Sequence, residues 1–127
     1  MIQNWFRALR RSSERKLLRL IVDDNGFSAT DWENQSTALK WDSIWQIRTY
    51  KRDLGTVDEI CLEFRTPNGY LEVWESDQGY KDLVQEIERR FQLEQAWWSK
   101  VAFPAFATND AILYRDPNAP PESLPAR

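Results

Sequence analysis

The sequence predicts a single α+β domain: a curled antiparallel sheet or small barrel with a C-terminal amphipathic helix and a short helix at its N-terminus. Three observations lead there. Short segments of alternating hydrophobicity follow one another between turn signals from Leu17 to Trp74. The apolar period then lengthens to the helical one, with Tyr80, Leu83, Val84, Ile87 and Phe91 falling on one stripe. The length, 127 residues with 42% hydrophobic content, suits one ordinary core.

From Met1 to about Lys16, Ile2, Trp5, Phe6 and Leu9 share one helical face and arginines occupy the rest, which predicts a short basic amphipathic helix over 1–16. The run Leu17-Leu18-Arg19-Leu20-Ile21-Val22 is a first strand, stopped by Asp23-Asp24-Asn25-Gly26. Asn-Gly tolerates the positive backbone angles of a tight hairpin, so Phe27 to Thr30 is expected to return antiparallel. After a polar stretch from Asp31 to Ser36, Thr37 to Trp41 is a third strand and Ile44 to Lys51 a fourth, whose faces alternation leaves open.

Ile60, Leu62 and Phe64 alternate with Cys61, Glu63 and Arg65, the pattern of a sheet buried on one side. Pro67-Asn68-Gly69 then turns the chain into Tyr70 to Trp74. The helix that follows, about four turns long, has Ser76 or Asp77 as its expected cap and Arg89 with Arg90 at the end where the dipole favours cations. Residues 93 to 114 are aromatic-rich, and Pro104 should end any helix begun near Gln95. Residues 116–127 form a proline-rich tail, expected to be flexible or polyproline-like. The domain proper is thus 17–115.

The order of these elements resembles that of bacterial pleckstrin-homology-like domains over residues 17 to 92. The likeness is carried by the hairpin from Leu20 to Phe27 and by Leu39-Lys40-Trp41-Asp42-Ser43-Ile44, where a tryptophan and an isoleucine flank a polar pair. Tyr50-Lys51-Arg52-Asp53, followed by the strand Ile60-Cys61-Leu62-Glu63-Phe64, completes it. The resemblance implies a curled sheet plugged by its last helix, and such domains end at that helix. The segment from Trp97 to Arg115 departs from this and resembles the end of small bacterial proteins with no assigned activity.

Composition excludes several chemistries. With no histidine, neither a Ser-His-Asp nor a Cys-His nucleophile can be assembled, and one cysteine cannot supply a zinc site of the usual kind. Gly26, Gly55, Gly69 and Gly79 are scattered and build no phosphate-cradling loop. Cys61 reads as a small, half-buried apolar residue. The carboxylate pairs Asp23/Asp24, Asp31/Glu33, Asp58/Glu59 and Glu72/Glu75 are the groups left for acid and base work, and all but Glu72 fall at turns or strand ends, where solvated charge is the ordinary role. No cofactor or metal is expected. No apolar run reaches the roughly 18–20 residues that cross a bilayer, and no signal sequence is apparent, so the expected location is the cytoplasm.

Net charge is −3, unevenly spread. Residues 1 to 20 hold six basic side chains against Glu14 alone, net +5; the remaining 11 basic and 19 acidic residues leave −8. An acidic body argues against nucleic acid and suits a basic protein partner. Seven tryptophans exceed what a core this size readily absorbs. If Leu71 and Val73 face inward, Trp74 falls on the outer face with Glu72 on the inner side. Either Trp97, Trp98, Phe103 and Phe106 roof the sheet or helix, or part of that cluster, with Trp45, stays open beside acidic side chains as a partner site. The N-terminal helix offers a second candidate, with Trp5, Phe6, Arg7, Arg10 and Arg11 in the composition of an interfacial membrane helix; docked on its own domain it would have no such role.

Three functions follow in order of expectation. The first is a non-catalytic intracellular protein-binding module, in its sharpest form an immunity-type protein that neutralises a bacterial toxin. The second is a peripheral membrane adaptor using the basic helix, with weak membrane-surface contact. The third is a hydrolase dependent on paired carboxylates.

Overall fold

The computed structural model describes residues 17–53, 58–102 and 109–120. The expected helix over 1–16, with Trp5, Phe6, Arg7, Arg10 and Arg11, lies outside them, as do Phe103, Phe106 and the last seven residues. Seven strands and two helices follow in order: β1 Arg19–Val22, β2 Gly26–Thr30, β3 Ser36–Lys40, β4 Gln46–Asp53, β5 Asp58–Thr66, β6 Gly69–Trp74, α1 Tyr80–Arg90, α2 Trp97–Ala102 and β7 Ala111–Arg115. A 3₁₀ turn at Trp41–Ser43 links β3 to β4.

The fold is α+β, built on two antiparallel sheets, β1-β2-β3 and β6-β5-β4-β7, and they do not close into a barrel. Closure would join the edges β1 and β3 of one sheet to the edges β6 and β7 of the other, and no such pairing is present among the described residues; β4, the strand that follows β3 in the chain, lies between β5 and β7. The apolar run at Ala111 to Tyr114 is therefore a strand of the sheet rather than a roof over it, and α1 is not the chain's last element.

Alternation sets the core. On β1 to β3 the inward residues Leu20, Phe27, Ala29 and Leu39 are buried, and on the second sheet Ile47, Leu62, Phe64, Leu71 and Val73 are buried. The Phe27 and Phe64 rings meet at 5.0 Å between the sheets, and the contact continues through Trp41 to Phe91 and Tyr114. Leu83 and Ile87 bury the stripe of α1 beneath β1. Each fully buried side chain of this type contributes about 1.5–3 kcal/mol.

Several local expectations change. The β1–β2 turn uses no positive φ at Asn25 or Gly26; Asp23 Oδ1 accepts the N–H groups of both residues at 2.8 and 3.0 Å. Gly26 is required by packing instead, since a Cβ there would stand 1.8 Å from the Leu39 carbonyl oxygen. Neither Ser76 nor Asp77 caps α1. Gly79 does so at φ 89°, close against the Leu20 backbone, and the helix runs 11 residues, nearer three turns than four. Asp77 is buried and joins β1 to β6 by accepting the N–H of Leu18 at 2.9 Å and of Trp74 at 2.7 Å. The start of the proline-rich tail is folded, for Asp116 accepts from the N–H groups of Asn118 and Ala119.

Candidate functional site

Two outer faces carry the exposed or polar chemistry, and they differ in kind. On the four-stranded sheet, Gln46, Arg48, Tyr50 and Arg52 of β4 share the outer face with Glu59, Cys61, Glu63 and Arg65 of β5 and with Tyr70, Glu72 and Trp74 of β6. Glu72 and Trp74 thus lie on the same side, two residues apart, which corrects the opposite placement inferred from sequence. Trp74 Nε1 donates to Glu72 Oε1 at 2.8 Å, while Arg52 Nε at 3.2 Å and the Tyr50 hydroxyl both donate to Oε2. Beside them Arg65 Nε donates to Glu63 Oε1 at 3.0 Å, and Arg48 stands 3.7 Å from the same oxygen with its guanidinium over the Tyr50 ring.

Both buried acids of this network, Glu72 and Glu63, are engaged by donors, while the buried Arg48 Nε has no hydrogen-bond partner among the described residues. Burial and then the charge and hydrogen bond of Glu72 push the Tyr50 hydroxyl above its ordinary range, so it stays protonated and donates. One acid of each other pair singled out above is also engaged: Asp23 Oδ1 accepts the N–H groups of Asn25 and Gly26, Asp31 Oδ1 those of Glu33 and Gln35, and Glu59 Oε2 the Ser76 N–H and hydroxyl. Asp31, Glu59 and Glu72 are buried, contrary to the expectation of solvated charge at the first two. Among the described residues no three His, Cys, Asp or Glu side chains gather as a metal site. Cys61 is wholly buried, not half-buried.

The three-stranded sheet presents the other kind of surface. The register pairs Arg19 with Thr30 and Ile21 with Ser28 on its outer face, and Ser28 with Ala38 and Thr30 with Ser36 beyond them. Ile21 lies on the outer face of β1, Leu17 precedes that strand, and Trp32 sits in the turn that follows β2. Leu17, Ile21 and Trp32 are 53%, 58% and 46% exposed, three of the five large exposed hydrophobics among the described residues. Arg19 and Lys40 are the only charged residues in these three strands.

The residues singled out from sequence are not gathered. Trp97 is 2% exposed and its Nε1 donates to Glu88 at 2.9 Å, a core position. Trp98, beside it on α2, is 50% exposed. Trp45 is half-buried at the start of β4, its backbone bonded to Arg65 and Asp116. Six residues along, about 20 Å by strand rise, Lys51 Nζ bonds the Ala102 carbonyl oxygen at the end of α2. Trp45 and Trp98 therefore belong to opposite ends of β4. Sequence reading passed over Leu17 and Ile21 because they sit in an unbroken apolar run, and Trp32 because its neighbours are polar; alternation with Leu18, Leu20 and Val22 was the available signal.

Comparison with protein families, with curated proteins and with solved structures gave no match. No helix among the described residues is long and apolar enough to cross a membrane.

Proposed function

We propose that this chain is a non-catalytic protein-binding module whose partner covers the outer face of β1–β3, with Trp32 as the anchor. The observation that carries the reading is the exposure of Ile21 on the outer face of β1, of Leu17 just before that strand and of Trp32 in the turn after β2. An indole and two aliphatic side chains have the composition of an interface centre, where a few large side chains supply most of the affinity. The donors that hold Glu72 and Glu63 argue in the same direction, because they give the buried acids a structural role.

An immunity-type protein that neutralises a bacterial toxin is the sharpest form of this proposal, and the pleckstrin-homology-like reading of residues 17 to 92 goes with it. Six strands followed by an amphipathic helix support that likeness; β7 departs from it. The acidic body favours a basic partner, and the exposed carboxylates of Asp23, Asp24 and Glu33 in the turns of this sheet stand alongside the cations Arg19 and Lys40.

The test is affinity capture with the full chain and with Trp32→Ala and Ile21→Lys variants. One dominant protein retained by the parent and lost from both variants supports the reading. Equal retention by all three, or retention of nothing, removes it. A peripheral membrane role is the second reading, since Arg19 and Lys40 beside Leu17 and Trp32 also suit an anionic surface. Flotation of the full chain with anionic vesicles, lost on Trp32→Ala, would favour that role instead.

A further inference from the structure

We propose that residues 1–16 pack their apolar side, Ile2, Trp5, Phe6 and Leu9, on the outer face of the four-stranded sheet, which spends on the chain's own domain the side chains that would suit a lipid surface. This contact is independent of the partner surface on β1–β3. It follows from burial on a face that no described element covers. Trp74, outward on β6, is 3% exposed although β6 is an edge strand of its sheet. Arg48 and Arg65, outward on β4 and β5, are 14% and 17% exposed. Long cationic side chains on a bare sheet keep their heads in water. Here the outermost groups are themselves shielded, so this face does not roof itself.

Both described helices lie on the other side. Leu83 and Ile87 of α1 and Trp97 and Val101 of α2 belong to the core that contains Ile47, Leu62 and Phe64. Lys51, whose strand position points to that core, holds the end of α2 through the Ala102 carbonyl. The burial is that of one chain without a partner, so the cover comes from this chain's own residues outside the described ones.

Four segments are outside: 1–16, 54–57, 103–108 and 121–127. Residues 54–57 close the β4–β5 hairpin, and 103–108 lead from α2, on the inner side, to β7. Residues 121–127 begin after Pro120, whose carbonyl accepts from Arg115 at the end of the sheet away from Trp74, and they hold one large apolar side chain, Leu124. Residues 1–16 instead join the described chain beside Trp74: Asp77 takes the Leu18 N–H on Oδ1 and the Trp74 N–H on Oδ2.

Size agrees as well. As a helix the segment is about 24 Å long and about 10–12 Å across. From β6 to β4 the sheet is roughly 10 Å wide, and β5, its longest strand there with nine residues, runs roughly 30 Å. The cover ends at β4, for Ile112, across from Arg48 on β7, is 54% exposed. Glu59, Glu63 and Glu72 balance Arg48, Arg52 and Arg65 on this face, so it has no net attraction for the segment's arginines. The indole of Trp74 and the rings of Tyr50 and Tyr70 suit its apolar side.

Two experiments on the full chain test the contact. Trp5→p-benzoylphenylalanine exchanges one aromatic side chain for another, and irradiation is expected to give a cross-link within one chain that maps to β4, β5 or β6. Cross-links to residues 17–40 or between two chains, or none at all, overturn the proposal. So does loss of the cross-link on binding anionic vesicles, which would give the segment to the membrane. The second readout is Cys61, wholly buried on the same face. Its labelling by a thiol reagent under native conditions should rise about tenfold or more when Trp5→Asp and Phe6→Asp are combined, and stay within about twofold of the parent when Arg7→Asp and Arg11→Asp are combined. Equal rates in all three proteins, or an equal rise in both variants, overturn it. The cross-link decides the question should the first of these variants not fold.

Discussion

Replacing Glu72 by glutamine keeps the side chain's shape and removes its charge. In the native sheet Oε1 takes the Trp74 indole N–H at 2.8 Å, and Oε2 takes Arg52 Nε at 3.2 Å together with the Tyr50 hydroxyl. A carboxamide has one acceptor oxygen and one N–H₂. If the oxygen serves Tyr50 and Arg52, the buried indole N–H faces another donor; if it serves Trp74, the other two lose their acceptor. Leaving one buried donor unpaired costs about 1–3 kcal/mol. The lost ionic contribution of Arg52, which is 40% exposed, adds no more than about 1 kcal/mol after screening. The expected destabilisation is thus about 1–4 kcal/mol, a large share of a domain's usual 5–15, roughly.

Urea unfolding at neutral pH measures this, with an unchanged slope showing that the unfolded reference is the same. A second readout follows from Tyr50, which burial first and Glu72 next hold above the ordinary value of 10.0. A raised folded-state value means the stabilisation is complete below pH 10 and is lost as pH rises, since only the unfolded chain ionises there. In Glu72→Gln the native hydroxyl ionises sooner, so the alkaline loss should level off at lower pH than in the parent. Tyr80 and Tyr114 are also raised by burial and cancel in the comparison. A stability change under about 0.5 kcal/mol, or superimposable alkaline limbs, would refute the account of this network.

Trp97→Ala should cost about 3–5 kcal/mol while Trp32→Ala should stay within about 0.5, and acrylamide quenching should lose one of its accessible components, with that of Trp98 remaining, in the second variant only. Asp77→Asn, which sets an N–H₂ against either the Leu18 or the Trp74 N–H, should destabilise by about 2–3 kcal/mol in thermal or urea unfolding; a neutral result would mean that this tie between β1 and β6 carries little. Cys61, wholly buried, should react with a thiol reagent no faster than the chain unfolds, and prompt labelling under native conditions would contradict its placement.

What the sequence made legible was local. The β5–β6 hairpin shows in it because Ile60, Leu62 and Phe64 alternate with polar residues up to a Pro-Asn-Gly turn, and α1 shows because its stripe is long enough to fix a period. β7 did not show, since four apolar residues from Ala111 suit several conformations and its pairing partner, β4, lies some 60 residues upstream. The cap of α1 was misread because Asp77 has a better use in joining two strands, and nothing in its neighbourhood reveals the Leu18 N–H. Glu72 is the instructive case: the parity that places it beside Trp74 is present in the sequence, but an acid on a buried face becomes credible only when Tyr50 and Arg52, 20 or more positions away, are seen to supply its donors.

Strand order bears on why the sheets stay open. β4, which follows β3 in the chain, lies inside the second sheet between β5 and β7 and has no side left for β3. β7 claims the side away from β5, pairing Gln46 with Arg115 and Ile47 with Tyr114, and Arg115 secures it by donating from Nη1 to Gln46 Oε1 at 2.8 Å. Because an antiparallel strand has two hydrogen-bonding sides and no more, adding β7 leaves β3 without a strand from the second sheet. The segment beyond α1, which departs from the resemblance noted in the sequence, is therefore what keeps β3 from β4. An open edge on a sheet that also exposes aliphatic and indole side chains is an aggregation hazard unless something covers it, so the same geometry gives the chain a reason to be bound.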